Sequence, residues 1–223
     1  MYRLVKIFKQ KVWLLMSKSD KIKEHIEEYN LTYCRELEER EIYIRNLSDE
    51  KFYQCLRDFG RTVVNGKSKA STHFLNNRWY NRKQRTSDNY EIQLRDAVIK
   101  KNKKKNVLND STLNTFEKIY SIIEEIISDL NKIGIIGASQ MTKYDISKFL
   151  GARKNISPRD VYIHRGVRSG AFYLGIIRKE NFDTILKKNE ILILCPALDN
   201  LGDSKHIENF LCLYKKQLEE LFK

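Results

Sequence analysis

Apolar side chains recur every three or four positions along most of the chain, which is the spacing of one buried face of an α-helix. The clearest case runs from Ser111, a residue suited to cap a helix, to Leu130. Its apolar positions are Leu113, Phe116, Tyr120, Ile123, Ile127 and Leu130. Because this seam is short for a coiled coil, we expect a buried helix of a bundle. Pairing with another chain through the seam is the alternative.

Five further segments show helical spacing. Residues 1–16 are basic as well as apolar, and we interpret them as a core-packing helix rather than a signal peptide because lysines interrupt the apolar run. Three more helices are expected to begin near Ser19, Ser48 and Ser204. A short helix over 141–150 is expected to stop at the glycine that follows it.

The rest of the C-terminal half is less regular. Ser157 and Pro158 resemble a helix cap followed by proline at the first helical position, and 182–188 is predicted to be a helical turn. The apolar run 190–195 is predicted to be the only strand or a buried extended link. Together these patterns predict a mainly α fold: a compact, bundle-like helical domain with at most one short strand or hairpin.

The distribution of charged residues separates two regions of the chain more clearly than the distribution of apolar residues does. The 223 residues carry 42 Lys and Arg against 29 Asp and Glu, a formal net charge of +13. Residues 57–105 alone hold 14 Lys and Arg against 4 Asp and Glu, a net of +10. We therefore predict a basic helical N-terminal region over 1–110 and a helical C-terminal region over 111–223, with one continuous domain as the alternative.

The basic segment mixes cations with aromatic side chains, a combination suited to phosphate contact and to stacking on unpaired bases. Its lysine run, Lys100–Lys105, is predicted to be a loop between helices. The nucleic-acid-binding residues predicted from the segment are Arg78, Trp79, Tyr80, Arg82, Lys83, Arg85, Lys101, Lys103, Lys104 and Lys105. The alternatives are a solvated basic face with the Trp79 indole in the core, or contact with an acidic protein or an anionic membrane surface.

Four cysteines and four histidines are scattered along the chain, and neither type shows the paired spacing of a zinc site. We therefore predict no metal and no cofactor, and we interpret the cysteines as reduced in a cytoplasmic protein. No apolar stretch reaches the length of about 20 residues that a membrane span needs, so no membrane partner is predicted.

Arg159 and His164 are separated by four residues, with a polar residue directly after the arginine. This R-x4-H pattern resembles the motif of the HEPN family of helical, metal-independent ribonucleases. The resemblance implies that Arg159 and His164 are catalytic and act on the scissile phosphate and the RNA 2′-hydroxyl, in a site that dimerisation completes. A histidine can move a proton near neutral pH, and an arginine can stabilise charge on a phosphate oxygen. A structural histidine next to a turn is the alternative.

A second resemblance overlaps the first. Residues 161–171 read VYIHRGVRSGA, and residues 207–214 read IENFLCLY. These segments resemble an uncharacterised bacterial protein family whose motif is V-Y-[LI]-H-x-G-x-R-x-G-A followed by an E-[DN]-x-L-C-[IL]-Y helix, and the resemblance implies no activity. The chemistry of the turn predicts an anion site at Arg165, Arg168 and Gly170, since cations favour a phosphate and a glycine allows close backbone approach. A pure folding role is the alternative.

These observations predict a cytoplasmic protein that binds nucleic acid, either DNA or RNA. Its composition, rich in Lys, Asn and Ile, is typical of an AT-rich bacterial or mobile-element source. The expected context is an accessory role in a phage-defence, toxin or mobile-element system. The alternatives are a metal-independent ribonuclease of the HEPN type and a structural subunit that binds a protein partner or a second copy of the chain.

Overall fold

A computed structural model describes residues 18–57, 61–64, 67–70, 88–132, 140–178 and 183–223. The chain divides into two compact units, which we call unit 1 (Met1–Arg35 with Arg159–Lys223) and unit 2 (Glu36–Pro158). This division differs from the predicted boundary near residue 110. The reason lies in unit 1, where apolar residues of the first helix share a core with the C-terminal helices.

The fold is mainly α, as predicted. In chain order the described elements are α1 (18–29), a π-helical turn (Asn30–Cys34), α2 (Arg35–Arg45), α3 (Asp49–Arg57), β1 (Arg61–Val64), β2 (Lys67–Ala70), α4 (Asp88–Lys104), α5 (Phe116–Lys132), α6 (Gln140–Lys154), β3 (Val161–Ile163), α7 (Arg168–Tyr173), β4 (Thr184–Leu186), α8 (Lys188–Leu194), a 3-10 helix (Pro196–Leu201), α9 (Ser204–Leu213) and α10 (Lys215–Phe222). Within the described ranges the strands form two short antiparallel pairs, β1 with β2 and β3 with β4, where the sequence predicts at most one. Among these elements, no helix combines the length and the apolar character that crossing a membrane requires.

Unit 1 is organised around α9. Ile207, Phe210 and Leu211 on this helix have no exposed surface and pack with apolar residues of α1, β3 and α7. Next to it, β3 pairs with β4 so that Val161 lies opposite Leu186. The helix begins at Ser204, as predicted, and its buried face forms the floor of the candidate site described below.

Three segments of unit 1 differ from their predicted structure. No helix begins at Pro158, because the fully buried Val-Tyr-Ile run at 161–163 forms β3, which suits β-branched and aromatic side chains. Residues 184–186 form its partner strand rather than a helical turn. The run 190–195 lies mostly in α8. Ile191 is fully buried and Ile193 is 79% exposed, a difference between positions two apart that a strand would not produce.

Unit 2 has its own core, formed by residues of α2 to α6 and of the loop after α4. Ile119, Ile123 and Ile126 of α5 have no exposed surface. The rings of Phe52 and Phe149 stack beside them with their centroids 4.5 Å apart. The apolar seam of α5 is therefore buried within the unit, which confirms the predicted bundle helix and leaves the seam covered by its own chain.

The N-terminus of α5 lies further along the chain than predicted. The helix begins at Phe116 rather than at Ser111, and the Thr115 hydroxyl accepts a hydrogen bond from the N–H of the third residue after it. Before the helix, the carboxylate of Asp110 accepts hydrogen bonds from the N–H and hydroxyl of Thr112 at 2.8 and 2.6 Å. These bonds hold the pKa of Asp110 below its usual value. The resulting Asx turn competes with the helix for residues 110–112, so the helix starts later.

The C-terminus of α6 also differs from the prediction. The helix continues through Gly151 to Lys154. A Cβ at Gly151 would lie 2.4 Å from the carbonyl oxygen of Ile156, so this glycine admits the returning chain instead of ending the helix. The end comes at Asn155, whose φ of 60° is the left-handed conformation typical of a helix C-terminus.

Lys154 stabilises the loop that follows α4. Its Nζ donates hydrogen bonds to the carbonyl oxygens of Val107, Leu108 and Asp110 at 3.4, 3.0 and 2.9 Å. These three carbonyls match the three N–H donors of an ammonium group. Burial lowers the pKa of Lys154. The contacts fix the chain directly after the lysine run and thereby help to position that run.

Replacing Lys154 by alanine is expected to lower the free energy of unfolding by about 2 kcal/mol, because hydrogen bonds to a charged group contribute about 1.5–3 kcal/mol. Urea denaturation followed by circular dichroism measures the change. Lys132→Ala is the matched control and should lower the free energy of unfolding much less, since this side chain is 73% exposed and its ion pair with Asp129 spans one helical turn. Equal losses in the two variants would contradict the role given to Lys154.

Candidate functional site

The two segments that carry the bacterial-family resemblance meet in unit 1. Residues 161–171 form β3, a turn and the start of α7, and residues 207–213 lie in α9. Both β3 and α7 pack against α9. The two segments therefore pack against each other, and the side chains between them form the centre of this candidate site.

His164 and Glu208 form a buried pair at that centre. Nε2 of His164 lies 3.5 Å from Oε1 of Glu208, and the two side chains are 6% and 2% exposed. The backbone N–H of Gly166 donates a hydrogen bond to Nδ1 of His164 at 2.9 Å. Because Nδ1 accepts this bond, the proton of the neutral ring sits on Nε2 and faces the carboxylate. Both ring nitrogens of His164 are therefore directed at protein groups.

Two glycines of the motif are required by this packing. A Cβ at Gly166 would lie 2.7 Å from Cε1 of His164 and 3.1 Å from Sγ of Cys212. A Cβ at Gly170 would lie 2.3 Å from the carbonyl oxygen of Leu211, so glycine lets α7 approach the backbone of α9. The close approach at Gly170 is therefore to α9, and anion binding at this glycine stays a prediction.

Arg159 and His164, the two residues of the R-x4-H pattern, flank the strand β3. The pattern spans the strand β3 instead of a helix. Arg159 is exposed before the strand, and His164 is 5% exposed directly after it. The helical setting that the ribonuclease resemblance implies is therefore not found at residues 159–164.

The remaining cations of the predicted anion site lie at the surface of unit 1. Arg165 is exposed in the turn after His164, and Arg168 is half-buried as the first residue of α7. A phosphate that approached this turn would meet the Arg165 guanidinium first, because that side chain is the more exposed. Anion binding by Arg165 and Arg168 stays a prediction.

In unit 2 the lysine run forms the last turn of α4 and the residue that follows, not the predicted loop between helices. Nζ of Lys101 lies 3.9 Å from Oδ2 of Asp129, and Nζ of Lys105 lies 2.8 Å from Oε1 of Glu125. Both acidic residues belong to α5. The run can be helical because these carboxylates compensate part of its charge, and because the C-terminal end of a helix favours cations.

The other lysines of the run have different surroundings. The ammonium of Lys103 lies over the ring of Tyr53, 5.0 Å from its centroid. Burial raises the pKa of Tyr53 to about 12, so this ring stays neutral beneath the cation. Lys100 and Lys104 are exposed and, being four residues apart, lie on the same face of α4.

Some of the predicted residues lie outside the described part of the chain. These are the N-terminal segment 1–16 and the aromatic and basic residues Arg78, Trp79, Tyr80, Arg82, Lys83 and Arg85. Of the predicted nucleic-acid contacts, the structure therefore places only the four lysines at the end of α4.

Sequence analysis missed Glu208 as the partner of His164. Glu208 lies one helical turn after Ser204 and one turn before Cys212, and all three are buried. An acidic side chain on the buried face of a helix is costly unless it meets a polar partner. The helical spacing of Glu208 from two buried residues is therefore the sequence signal that could have identified it as a buried acidic residue with a polar partner.

Comparison of the chain with protein-family models, curated proteins and solved structures finds no significant match. The site is therefore interpreted from its own geometry.

We expect His164 and Glu208 to be energetically coupled. Alanine at either position should lower the free energy of unfolding by about 3–5 kcal/mol, because it leaves the other group buried without its partner. The double variant should lose less than the sum of the single variants, by about 1–3 kcal/mol. The same cycle on the exposed pair Asp20 and Lys23 is the control and should show little coupling. Additive losses at the buried pair would contradict the interaction.

Proposed function

We propose that the protein binds nucleic acid through its basic segment, residues 57–105. The observation that carries this proposal is the concentration of charge, since the segment holds a net +10 of the chain's +13. Each lysine or arginine that meets a phosphate releases condensed counterions, which favours binding. Like charges at such a density otherwise repel one another.

The end of α4 supports the proposal. Lys101 and Lys105 connect this end to α5, and Lys103 connects it to α3. The turn that carries the exposed Lys100 and Lys104 is therefore held by three contacts within unit 2. Because this helix end is already fixed, the backbone that carries the two cations loses little further conformational freedom when a phosphate backbone approaches.

The neighbours of each lysine indicate how available its charge is for contact with phosphate. The charges of Lys101 and Lys105 are partly compensated by Asp129 and Glu125, and Lys103 lies over an aromatic ring. Lys100, Lys103 and Lys104 are exposed, and because the Lys103 ammonium lies over the Tyr53 ring, we assign the first contacts with phosphate to Lys100 and Lys104.

The expected biological setting of the protein rests on different evidence from the proposed binding of nucleic acid. A cytoplasmic accessory of a phage-defence, toxin or mobile-element system remains the expected context, and it rests on composition alone. DNA and RNA are equal candidates. A ribonuclease based on Arg159 and His164 is not proposed, because the histidine is buried against Glu208.

The double variant Lys100→Gln, Lys104→Gln is expected to bind nucleic acid more weakly than the wild-type protein, because it removes two phosphate contacts. Fluorescence anisotropy at about 50 mM salt, with labelled duplex DNA, single-stranded DNA and single-stranded RNA of one length, measures the affinity. Since phosphate contacts carry no sequence information, the weakening should be uniform across sequences of a given type.

Lys21→Gln, Lys216→Gln is the matched control for this experiment. Both lysines are exposed in unit 1, and the double change lowers the net charge by the same amount. Its affinity should stay close to that of the wild-type protein. Equal weakening in the two double variants would assign binding to net charge alone and contradict a defined surface. RNA cleavage that disappears in a His164→Ala variant shown by circular dichroism to be folded would instead favour the ribonuclease alternative.

A further inference from the structure

Unit 2 contains an open cleft that the loop after the lysine run helps to line. Its volume is about 340 Å³, at the lower end of the range for sites that take a small organic group. The first residue of α3, the loop after α4 and the C-terminal end of α6 all contribute to the lining. The lining residues that decide what can bind are Leu108, Asn109, Leu113, Asn114, Arg153 and Ile156.

One part of the lining is apolar. Leu108, Leu113 and Ile156 are half-buried, and each packs against the core of unit 2 as well as lining the cleft. Pockets that hold a nucleobase outside its stack use apolar side chains in this way, against the faces of the ring. The apolar part of the cleft therefore suits a flat ring better than a phosphate.

The cations of the lining are already bound within the protein. The Arg153 guanidinium donates one hydrogen bond to the carbonyl oxygen of Arg45 and another to Oδ1 of Asp49, the latter at 2.9 Å. The ammonium of Lys154 donates to three backbone carbonyls of the loop after α4. An anion would have to displace these contacts, whereas a neutral ring can stack on the plane of the guanidinium. The lining therefore favours a neutral, planar ligand over an anion.

Two exposed asparagines supply polar groups to the lining. Nδ2 of Asn109 donates a hydrogen bond to Oδ1 of Asn106 at 3.1 Å, and Oδ1 of Asn114 accepts one from Nζ of Lys118 at 2.9 Å. Within the described part of the chain, these contacts orient both amides and leave an acceptor on Asn109 and donors on Asn114. The edge of a nucleobase carries donors and acceptors that such groups recognise.

The cleft lies close to the lysines that we assign to phosphate. Lys104 ends α4 and Leu108 lines the cleft, and four residues of chain span at most about 14 Å. The N–H of Asp110 donates to the carbonyl oxygen of Asn106 at 3.0 Å, so the loop turns back on itself and the separation is shorter. One strand can therefore place a phosphate at Lys100 or Lys104 and a nearby base at the cleft.

We propose that the cleft binds one unpaired nucleobase of a nucleic-acid strand whose phosphates lie on Lys100 and Lys104. This inference rests on the proposed function and makes its ligand more specific. A base within a duplex is stacked and paired, so it does not enter the cleft without first leaving the helix. Removal of the bases from a single strand should therefore weaken binding, although all the phosphates remain.

The test compares two labelled single strands of equal length and charge by fluorescence anisotropy, prepared both as DNA and as RNA. One strand carries its bases, and every nucleotide of the other is abasic. The wild-type protein should bind the strand with bases about fivefold or more tightly, the order of magnitude that contact with one base contributes. The ratio of the two affinities is the readout, because a change in protein charge affects both strands alike.

Two variants of the cleft test the assignment. The double variant Asn109→Ala, Asn114→Ala removes both amides, and Leu113→Ala removes part of the apolar wall. Each should lower the ratio towards one and leave the affinity for the abasic strand unchanged. Asn46→Ala, Asn189→Ala is the matched control and should keep the wild-type ratio, because both asparagines are exposed and neither lines the cleft. Circular dichroism establishes that each variant is folded, and either cleft variant carries the test alone.

The outcomes separate this inference from the proposed function. Equal binding of the two strands by the wild-type protein, or a preference for bases that survives in both cleft variants, would overturn the inference and leave phosphate binding intact. No binding to any strand would contradict the proposed function and this inference with it.

A final measurement distinguishes a base within a strand from a free nucleotide. Isothermal titration calorimetry with a nucleoside monophosphate should show at most weak binding, since a single nucleotide lacks the phosphates that lie on the lysines. One-to-one binding of the monophosphate that is lost in the asparagine double variant, together with no preference between the two strands, would assign the cleft to a free nucleotide and contradict the proposal.

Discussion

Repulsion among like charges constrains the basic part of this protein. Residues 57–105 hold most of the excess positive charge of the chain. In the described part of that segment, three lysines at the end of α4 meet carboxylates of α5 or the ring of Tyr53, and the helix end itself favours cations. Lys100 and Lys104 remain exposed on one face. A partner that carries phosphates would supply counter-charge there, which is why the proposed function follows from the electrostatics of this helix end.

Unit 1 places its motif residues in a different environment. The His164–Glu208 pair is buried, and the glycines beside it admit the imidazole ring and the α9 backbone. Removing two polar groups from water is costly, so such a pair is maintained only by close packing and hydrogen bonds. The histidine and the two glycines of this motif are therefore explained by packing within unit 1, while Arg165 and Arg168 lie at its surface.

The sequence predicts the long elements well because several turns of consistent spacing leave little ambiguity, as in the buried seam of α5. Runs of three to seven residues fit either period, so β3 and α8 were assigned the wrong structure, and a glycine inside α6 was interpreted as its end. The candidate site is harder to predict. The lysine run is visible in the sequence, but the carboxylates that let it be helical belong to α5. His164 and Glu208 lie in different elements, and only tertiary packing brings them together.

The salt dependence of nucleic-acid affinity in the wild-type protein is the sharpest test of this interpretation. If the cations of residues 57–105 meet phosphates, the logarithm of the association constant should fall linearly with the logarithm of salt concentration between about 50 and 200 mM. On duplex DNA the slope should be about −0.9 for each phosphate contacted, and several contacts make it steep. An affinity that does not change over this range, or no binding at low salt, would contradict the proposal that the basic segment binds a phosphate backbone.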